Sequence, residues 1–423
     1  MMDLDDLDLL RFLWVDNANV IRSKAVPLVG PRPALATLER AVRISQAQFA
    51  LPVQADSVVF AAGLLPEHDV TLVPDWTSLR RMGGGQAAVA CDILDGDRPW
   101  GHCPRSFLRR MDERAKTAGM EIRVGAELEF TLLRDGAPID NTAFAQDAAF
   151  DLDADVIRDV LHALQRQDLP VAQCHPESGP GQWEISLRHA PVVGAADAIV
   201  GARQTIRAVA HRHGMTVNFL PVTSPDGVGS GMHVHVSFTG DPGDGFGQYG
   251  GAFMAGVLAN QPALLAATAP SLLSLRRFRP HYWAGAFLGW GDDNKEAPLR
   301  VVPTGSGAPR DVEYKASDAT ANPYVLLGCL LAAGLNGLET DAELPPPLVG
   351  DPGLLSDAER ADLGIEPIPG DPREVLRAFR SSAVFAEAMG ELHDSYCAVK
   401  QAEHDDLRGL DFEALAKLMM DRV

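Results

Sequence analysis

Four stretches of the chain alternate apolar and polar positions with a period of two, the pattern of strands that bury one face. In Ile122 to Leu133, Val124, Ala126, Leu128, Phe130 and Leu132 form an apolar face, and Glu127 and Glu129 share the opposite one. In Gln182 to Leu187, Trp183, Ile185 and Leu187 oppose Glu184. In Met232 to Phe238, Met232, Val234, Val236 and Phe238 oppose His233, His235 and Ser237. In Asp311 to Lys315, Val312 and Tyr314 oppose Glu313 and Lys315. Nearer the start, Arg11 to Val15 and Val20 to Pro27 flank an Asp16-Asn17-Ala18-Asn19 turn and predict a hairpin. Asp69 to Pro74 predicts a further strand.

Helical spacing predicts helices over Pro33 to Gln48, Ser106 to Gly119, Asp153 to Gln167 and Ala195 to His213, the last stopped by Gly214. Tyr324 to Leu335 is apolar all round and too short to span a bilayer, so it predicts a buried helix. Gly83-Gly84-Gly85 reads as punctuation, because it lacks the lysine and the strand-to-helix context of a phosphate-binding loop. The Gly- and Asp-rich tract Gly240 to Gly251 predicts a mobile loop, and Pro345-Pro346-Pro347 a connector to a helical tail from Pro372. A break near Pro104 and Arg105 divides a small mixed unit, residues 1–105, from a larger one, residues 106–423.

At 423 residues the chain is long enough for two or three cores. The formal net charge of −20 argues against nucleic acid or an anionic membrane as partner. Five cysteines with no CxxC spacing, and an acidic start without a signal-peptide pattern, fit a reducing cytoplasm.

The polar strand faces carry the chemistry. A solvated face mixes Thr, Lys, Ser and Gln; these repeat glutamate and histidine. Carboxylates two apart on one face repel by roughly 1 to 4 kcal/mol, depending on the local dielectric. A divalent cation reverses that sign, and oxygen-rich sites with an occasional imidazole suit Mg²⁺ or Mn²⁺. Arg276, Arg277 and Arg279 precede Pro280, Lys295 and Arg300 follow a Trp290-Gly291-Asp292-Asp293-Asn294 turn, and Arg310 and Lys315 flank Glu313. Guanidinium forks bind carboxylate and phosphate. Carboxylates for metal beside cations for phosphate is a layout suited to phosphoryl transfer.

These residues resemble the glutamine synthetase family across nearly the whole chain. The likeness rests on GAELEF (125–130), ESGPGQWE (177–184), GSGMHVHVS (229–237) and ANPYVLLGCLLAAGLNG (321–337), in that order. It implies an α+β fold: a small N-terminal β-grasp domain, then a catalytic domain with a curved antiparallel sheet packed by helices. It implies a soluble homo-oligomer of hexameric rings, commonly a dodecamer, with active sites between subunits. By the same resemblance, Glu129, Glu177 and Glu184 match ligands of one metal ion, and Glu127, His233 and Glu313 those of a second. His235, Ser237 and Arg310 match ATP contacts. Gly229, Arg277 and Lys315 match contacts to the amino-acid substrate, with His233 beside them. Arg300, with Lys295, matches the groups that steady the transferred phosphoryl. ATP is then co-substrate, glutamate takes its terminal phosphate, and an amine displaces the phosphate.

Departures from the family pattern lie on the acceptor side. The position of the glutamate that handles ammonium is Trp283, which cannot take a proton but whose face could hold an organic cation. The acidic ammonium ligand of the first domain has Asp56 as its nearest counterpart. Lys295 and Lys315 stand where the family has arginines, and Val228 where it has an asparagine. A γ-glutamyl-amine ligase is therefore expected, with a glutamine synthetase, a phosphotransferase and a non-catalytic relative as alternatives. His175 and His189 are expected to pack beside the site, and His162, His211 and His213 to lie at helix surfaces or ends. The tail shows no counterpart of the exposed tyrosine that some relatives modify.

Overall fold

The alternation in Ile122 to Leu133 becomes one long strand, Glu121–Arg134, at the middle of the larger sheet in this computed structural model. The structure describes residues 4, 6–30, 34–239, 245–304, 309–420 and 422. Across the sheet the strands run Val171–Pro176, Gln182–Pro191, Glu121–Arg134, Met232–Thr239, Pro309–Tyr314, Leu299–Pro303 and Trp290–Asp292. Neighbours are antiparallel except the last pair, which is parallel. The five apolar residues of the central strand are buried beneath the helices Pro104–Thr117, Val192–Arg212, Gly245–Thr268 and Pro323–Glu339. The opposite face is left for the glutamates and histidines.

Register then sets those side chains beside one another. Glu129 pairs across with Glu184, Glu127 with His233, and Glu313 with both His235 and Arg300. On one sheet face, directly opposed residues stand about 4.5–5.5 Å apart at Cβ, so like charges there destabilise unless something neutralises them.

The first hundred residues build the second sheet. Its order is Ile21–Pro27, Leu9–Val15, Gln86–Asp95, Asp69–Pro74 and Val42–Ser45, with Leu9–Val15 parallel to Gln86–Asp95. The expected hairpin and the expected strand at Asp69–Pro74 are both present. Its core is closed by Leu407, Leu415 and Met419 from the C-terminal helices, so the small sheet is not self-sufficient. Arg105 ties the two parts together: its buried guanidinium meets Asp75 and Asp92 of the first part and Asp197 of the long helix, at 2.6–2.8 Å.

Three expectations fail. The Trp290 to Asn294 stretch is not a turn throughout: Trp290–Asp292 is the edge strand, paired with Leu299–Pro303. Pro33 to Gln48 is not one helix: Leu35–Leu38 makes a single turn, then Val42–Ser45 joins the sheet against Asp69–Pro74. Val42 and Ile44 are β-branched and buried on alternate positions, and sheet pairing overrides the helical spacing. The tract Gly240 to Gly251 is helical from Gly245, within Gly245–Thr268; residues 240–244 lie outside the described residues. Its glycines permit close packing: a Cβ on Gly256 would stand 2.6 Å from the Gly337 nitrogen of the neighbouring helix.

Candidate active site

The polar face of the large sheet floors a cavity of about 440 Å³. Glu127, Glu129, Glu177, Glu184, His233 and Glu313 all line it, with Gly229, Arg277, Trp283, Lys295, Arg300 and Lys315 around them. A second cavity of about 400 Å³ shares Glu127 and holds His235, Ser237 and Arg310. Thus the residues matched to metal, substrate and nucleotide roles in the sequence line one or other of two adjoining cavities.

Glu127, His233 and Glu313 present ligand atoms within 4.8 Å of one another. His233 Nδ1 lies 3.2 Å from Glu127 Oε2 and 3.3 Å from Glu313 Oε1. Glu177 and Glu184 form a second such group with His175, whose Nε2 is 3.0 Å from Glu177 Oε1. Glu129 sits between the groups, 3.8 Å from His233 Nε2, and accepts from Gln182 Nε2 at 3.1 Å. His175 is therefore not a packing residue; it lies in the carboxylate cluster. The readable signal was its place two residues before Glu177 at a strand end. His189 lines the second cavity, and its Nδ1 meets Ser237 Oγ at 2.8 Å.

The charges explain what the cluster fits. Burial raises the Glu184 carboxyl, and Glu127, Glu129 and Glu177 push it further, to about 9. Burial also raises Glu129. For Glu127, burial is outweighed by hydrogen bonds from His233 and His235, which hold it below the usual carboxylate range. Lys315 and His233 do the same for Glu313 against its burial. Buried carboxylates that can stay ionised only with cationic partners, beside others that must keep a proton, are a donor set short of positive charge. Divalent cations with oxygen and imidazole ligands fit it.

Arg277 is buried, and its Nη2 donates to the Lys315 and Ser317 carbonyls at 2.6 and 2.9 Å. Its buried Nε has no hydrogen-bond partner among the described residues. Gly229 lies against it: a Cβ there would meet Arg277 Cγ at 2.4 Å. Arg300 Nη1 donates to Glu313 Oε2 at 3.1 Å, and its other nitrogens to Asp293. Lys315 Nζ is 3.2 Å from Glu313 Oε1. Burial would lower the His235 imidazole, but hydrogen bonds to Asp311 and Glu127 raise it to about 10. That places a positive charge at the border of the two cavities. Arg310 is exposed and pairs with Asp311 at 2.6 Å.

On the acceptor side, Trp283 lines the cavity mouth and Lys295 Nζ stands 4.7 Å over its ring. The indole face is thus already taken by a cation of the chain itself. Val228 also lines the cavity. Asp56 lies on the small sheet's side, exposed and 3.9 Å from Arg22, and does not line the cavity of its own chain. His213 ends its helix and pairs with Asp159. Tyr396, the one tyrosine of the tail, is fully buried.

Residues 101–413 match the model of the glutamine synthetase catalytic domain. The chain belongs to the glutamine synthetase family. Among curated relatives, the gamma-glutamylpolyamine synthetase GlnA3 of Streptomyces coelicolor is 36% identical over 95% of this chain and 91% of its own length. The glutamine synthetase of Methanocaldococcus jannaschii is 32% identical, over 81% of each chain. A solved structure described as a novel glutamine synthase homolog superposes with a TM-score of 0.85 at 28% identity, covering both chains fully. A GmaS/ADP complex, 24% identical with a TM-score of 0.84, shares the fold. Enzymes of this family use ATP and divalent metals, which agrees with the charge-deficient clusters. No helix among the described residues is long and apolar enough to cross a membrane.

Proposed function

We propose that the chain is an ATP-dependent ligase that activates the γ-carboxylate of glutamate as an acyl phosphate and joins it to an amine larger than ammonia. The observation that carries the acceptor half is Trp283 at the cavity mouth, with Lys295 over its ring. The mouth offers an aromatic wall whose ring already carries a lysine, so it adds little attraction for an ammonium ion.

In this reading Glu127, Glu129, Glu177, Glu184, His233 and Glu313 hold two divalent ions, with His175 supporting Glu177. Such ions, when bound, neutralise the phosphates of ATP. His235, Ser237 and Arg310 receive the nucleotide. Arg277 lines the cavity as the cation for the substrate carboxylate, and Gly229 lies against it without a side chain. The γ-carboxylate oxygen attacks the terminal phosphorus, and ADP leaves. Arg300, Lys295 and Lys315 bear cationic charge where negative charge gathers on the transferring group, the form of stabilisation that contributes most in such sites. The amine nitrogen then attacks the acyl carbon, phosphate leaves, and the nitrogen gives up a proton. Amide, ADP and phosphate are the products.

The same reading takes residues 1–105 as the β-grasp-like domain and 106–423 as the catalytic domain. It takes hexameric rings, stacked as a dodecamer, as the assembly and the cytoplasm as the location. The Streptomyces relative is a gamma-glutamylpolyamine synthetase, so a polyamine is the first acceptor to try. The test is phosphate release with glutamate, ATP and Mg²⁺ across ammonia, alkylamines, polyamines and ethanolamine, with products identified by mass. Amine-dependent release with a γ-glutamyl amide supports the reading. Phosphate transfer to a stable product with no amide would replace it by a phosphotransferase.

A further inference from the structure

Phe144 has no part in the chemistry described so far, yet it lines the same cavity beside Trp283. It lies in the loop between Ala137–Pro138 and Ala148–Leu152, and its ring meets Trp283 edge to face at 5.7 Å and 84°. The same ring meets His175 at 6.2 Å. Both aromatic side chains are close to half exposed, 45% for Phe144 and 46% for Trp283, and both line the cavity.

The backbone shows that this pairing is built. Eight non-glycine residues with positive φ are described, and five of them are Asn or Asp, which tolerate that region. The other three are Ala145, His281 and Trp283, with φ of 53°, 69° and 54°. All three are at this one mouth: one follows Phe144, and two are in the segment that presents the indole. Histidine shares some of the tolerance of Asn and Asp, but left-handed backbone at Ala145 and Trp283 persists only where the surroundings fix it. Here the Ala145 nitrogen donates to the Pro176 carbonyl at 3.1 Å, beside Glu177. The Trp283 nitrogen donates to Glu296 Oε1 at 3.2 Å, and His281 Nδ1 meets Asp351 Oδ2 at 2.6 Å.

One face of the indole already carries Lys295 Nζ, 4.7 Å from the ring centroid. An incoming ammonium group gains little from a ring that a lysine already covers. What the pair offers a ligand is carbon surface. We infer that Phe144 and Trp283 form the wall on which the carbon chain of the acceptor amine lies, and that Phe144 sets the preference for amines of several carbons over ammonia. This rests on the ligase reading above.

The experiment compares the wild type with Phe144→Ala and Phe144→Leu, using ammonia, methylamine, n-butylamine and putrescine as acceptors. Each methylene held against an apolar wall changes kcat/KM by about tenfold or somewhat more. Phe144→Ala is expected to raise KM for both four-carbon amines about tenfold, to leave KM for glutamate and ATP unchanged, and to leave kcat/KM for ammonia unchanged. Phe144→Leu should restore most of the loss. Unchanged KM values for n-butylamine and putrescine in an active Phe144→Ala enzyme would overturn the wall while leaving the ligase intact. If the wild type forms an amide with none of the four amines, the ligase reading itself falls. Because Phe144 is half exposed, unchanged glutamate and ATP constants show that the variant is folded.

Discussion

At Glu184, burial and three neighbouring carboxylates act in the same direction and lift the carboxyl to about 9, against about 4.3 in an unfolded chain. Without a cation the folded state keeps this proton between those pH values while the unfolded state loses it. The folded state binds more protons there, so this group's contribution to stability falls as pH rises through the window. A divalent ion removes the penalty by displacing the proton. Mg²⁺ binding at neutral pH should therefore release protons, measured by calorimetry in buffers of different ionisation heat, and should raise Tm more at pH 8.5 than at pH 6. Glu184→Gln should reduce the proton release. Heats that do not depend on the buffer would refute the account of this carboxyl. Strand alternation alone is enough to assign Glu127, Glu129, Glu184, His233 and Glu313 to polar strand faces. It does not group them, because grouping depends on cross-strand register, and His175 was missed for that reason.

At the scale of elements, Pro323–Glu339 and Gly245–Thr268 pack at backbone distance. A Cβ on Gly337 would stand 2.1 Å from the Ala252 carbonyl oxygen, and one on Gly256 would stand 2.3 Å from that of Ala333. Neither neighbour is a flexible side chain, so the helices must separate to admit a methyl group. Gly337→Ala is expected to cost about 1–3 kcal/mol by overpacking, read from chemical denaturation midpoints, with substrate KM values little changed. An unaltered midpoint would contradict the packing. The buried helix at Tyr324 to Leu335 was legible because it is apolar on every side. The helix from Gly245 was not, because glycine content reports backbone freedom and says nothing of a partner helix that takes the space. Pro33 to Gln48 misled for a related reason: Val42 and Ile44 fit either period, and the partner strand Asp69–Pro74 decided between them.

For the whole molecule, Arg105 is the joint between the two sheets. Its guanidinium is buried among Asp75, Asp92 and Asp197, and Tyr324 also donates to Asp197, at 2.7 Å. Removing the cation leaves the Asp197 carboxyl buried without its guanidinium partner. Arg105→Ala is expected to destabilise the protein by about 3–5 kcal/mol, with the two parts losing cooperativity in thermal unfolding; a single transition at the wild-type Tm would contradict this. The sequence predicts a boundary near Arg105, but not a clasp there, since its three partners lie far apart along the chain.

In the proposed reading the acceptor meets the aromatic side chains Phe144 and Trp283 at the cavity mouth. The most direct measurement is a competition: the enzyme with glutamate, ATP and Mg²⁺, given equal concentrations of ammonium and putrescine, with both amides quantified by mass spectrometry. The product ratio equals the ratio of kcat/KM values. The expected result is that γ-glutamylputrescine exceeds glutamine by well over tenfold, as a mouth that offers carbon surface to the acceptor chain requires. Glutamine as the main product would contradict it.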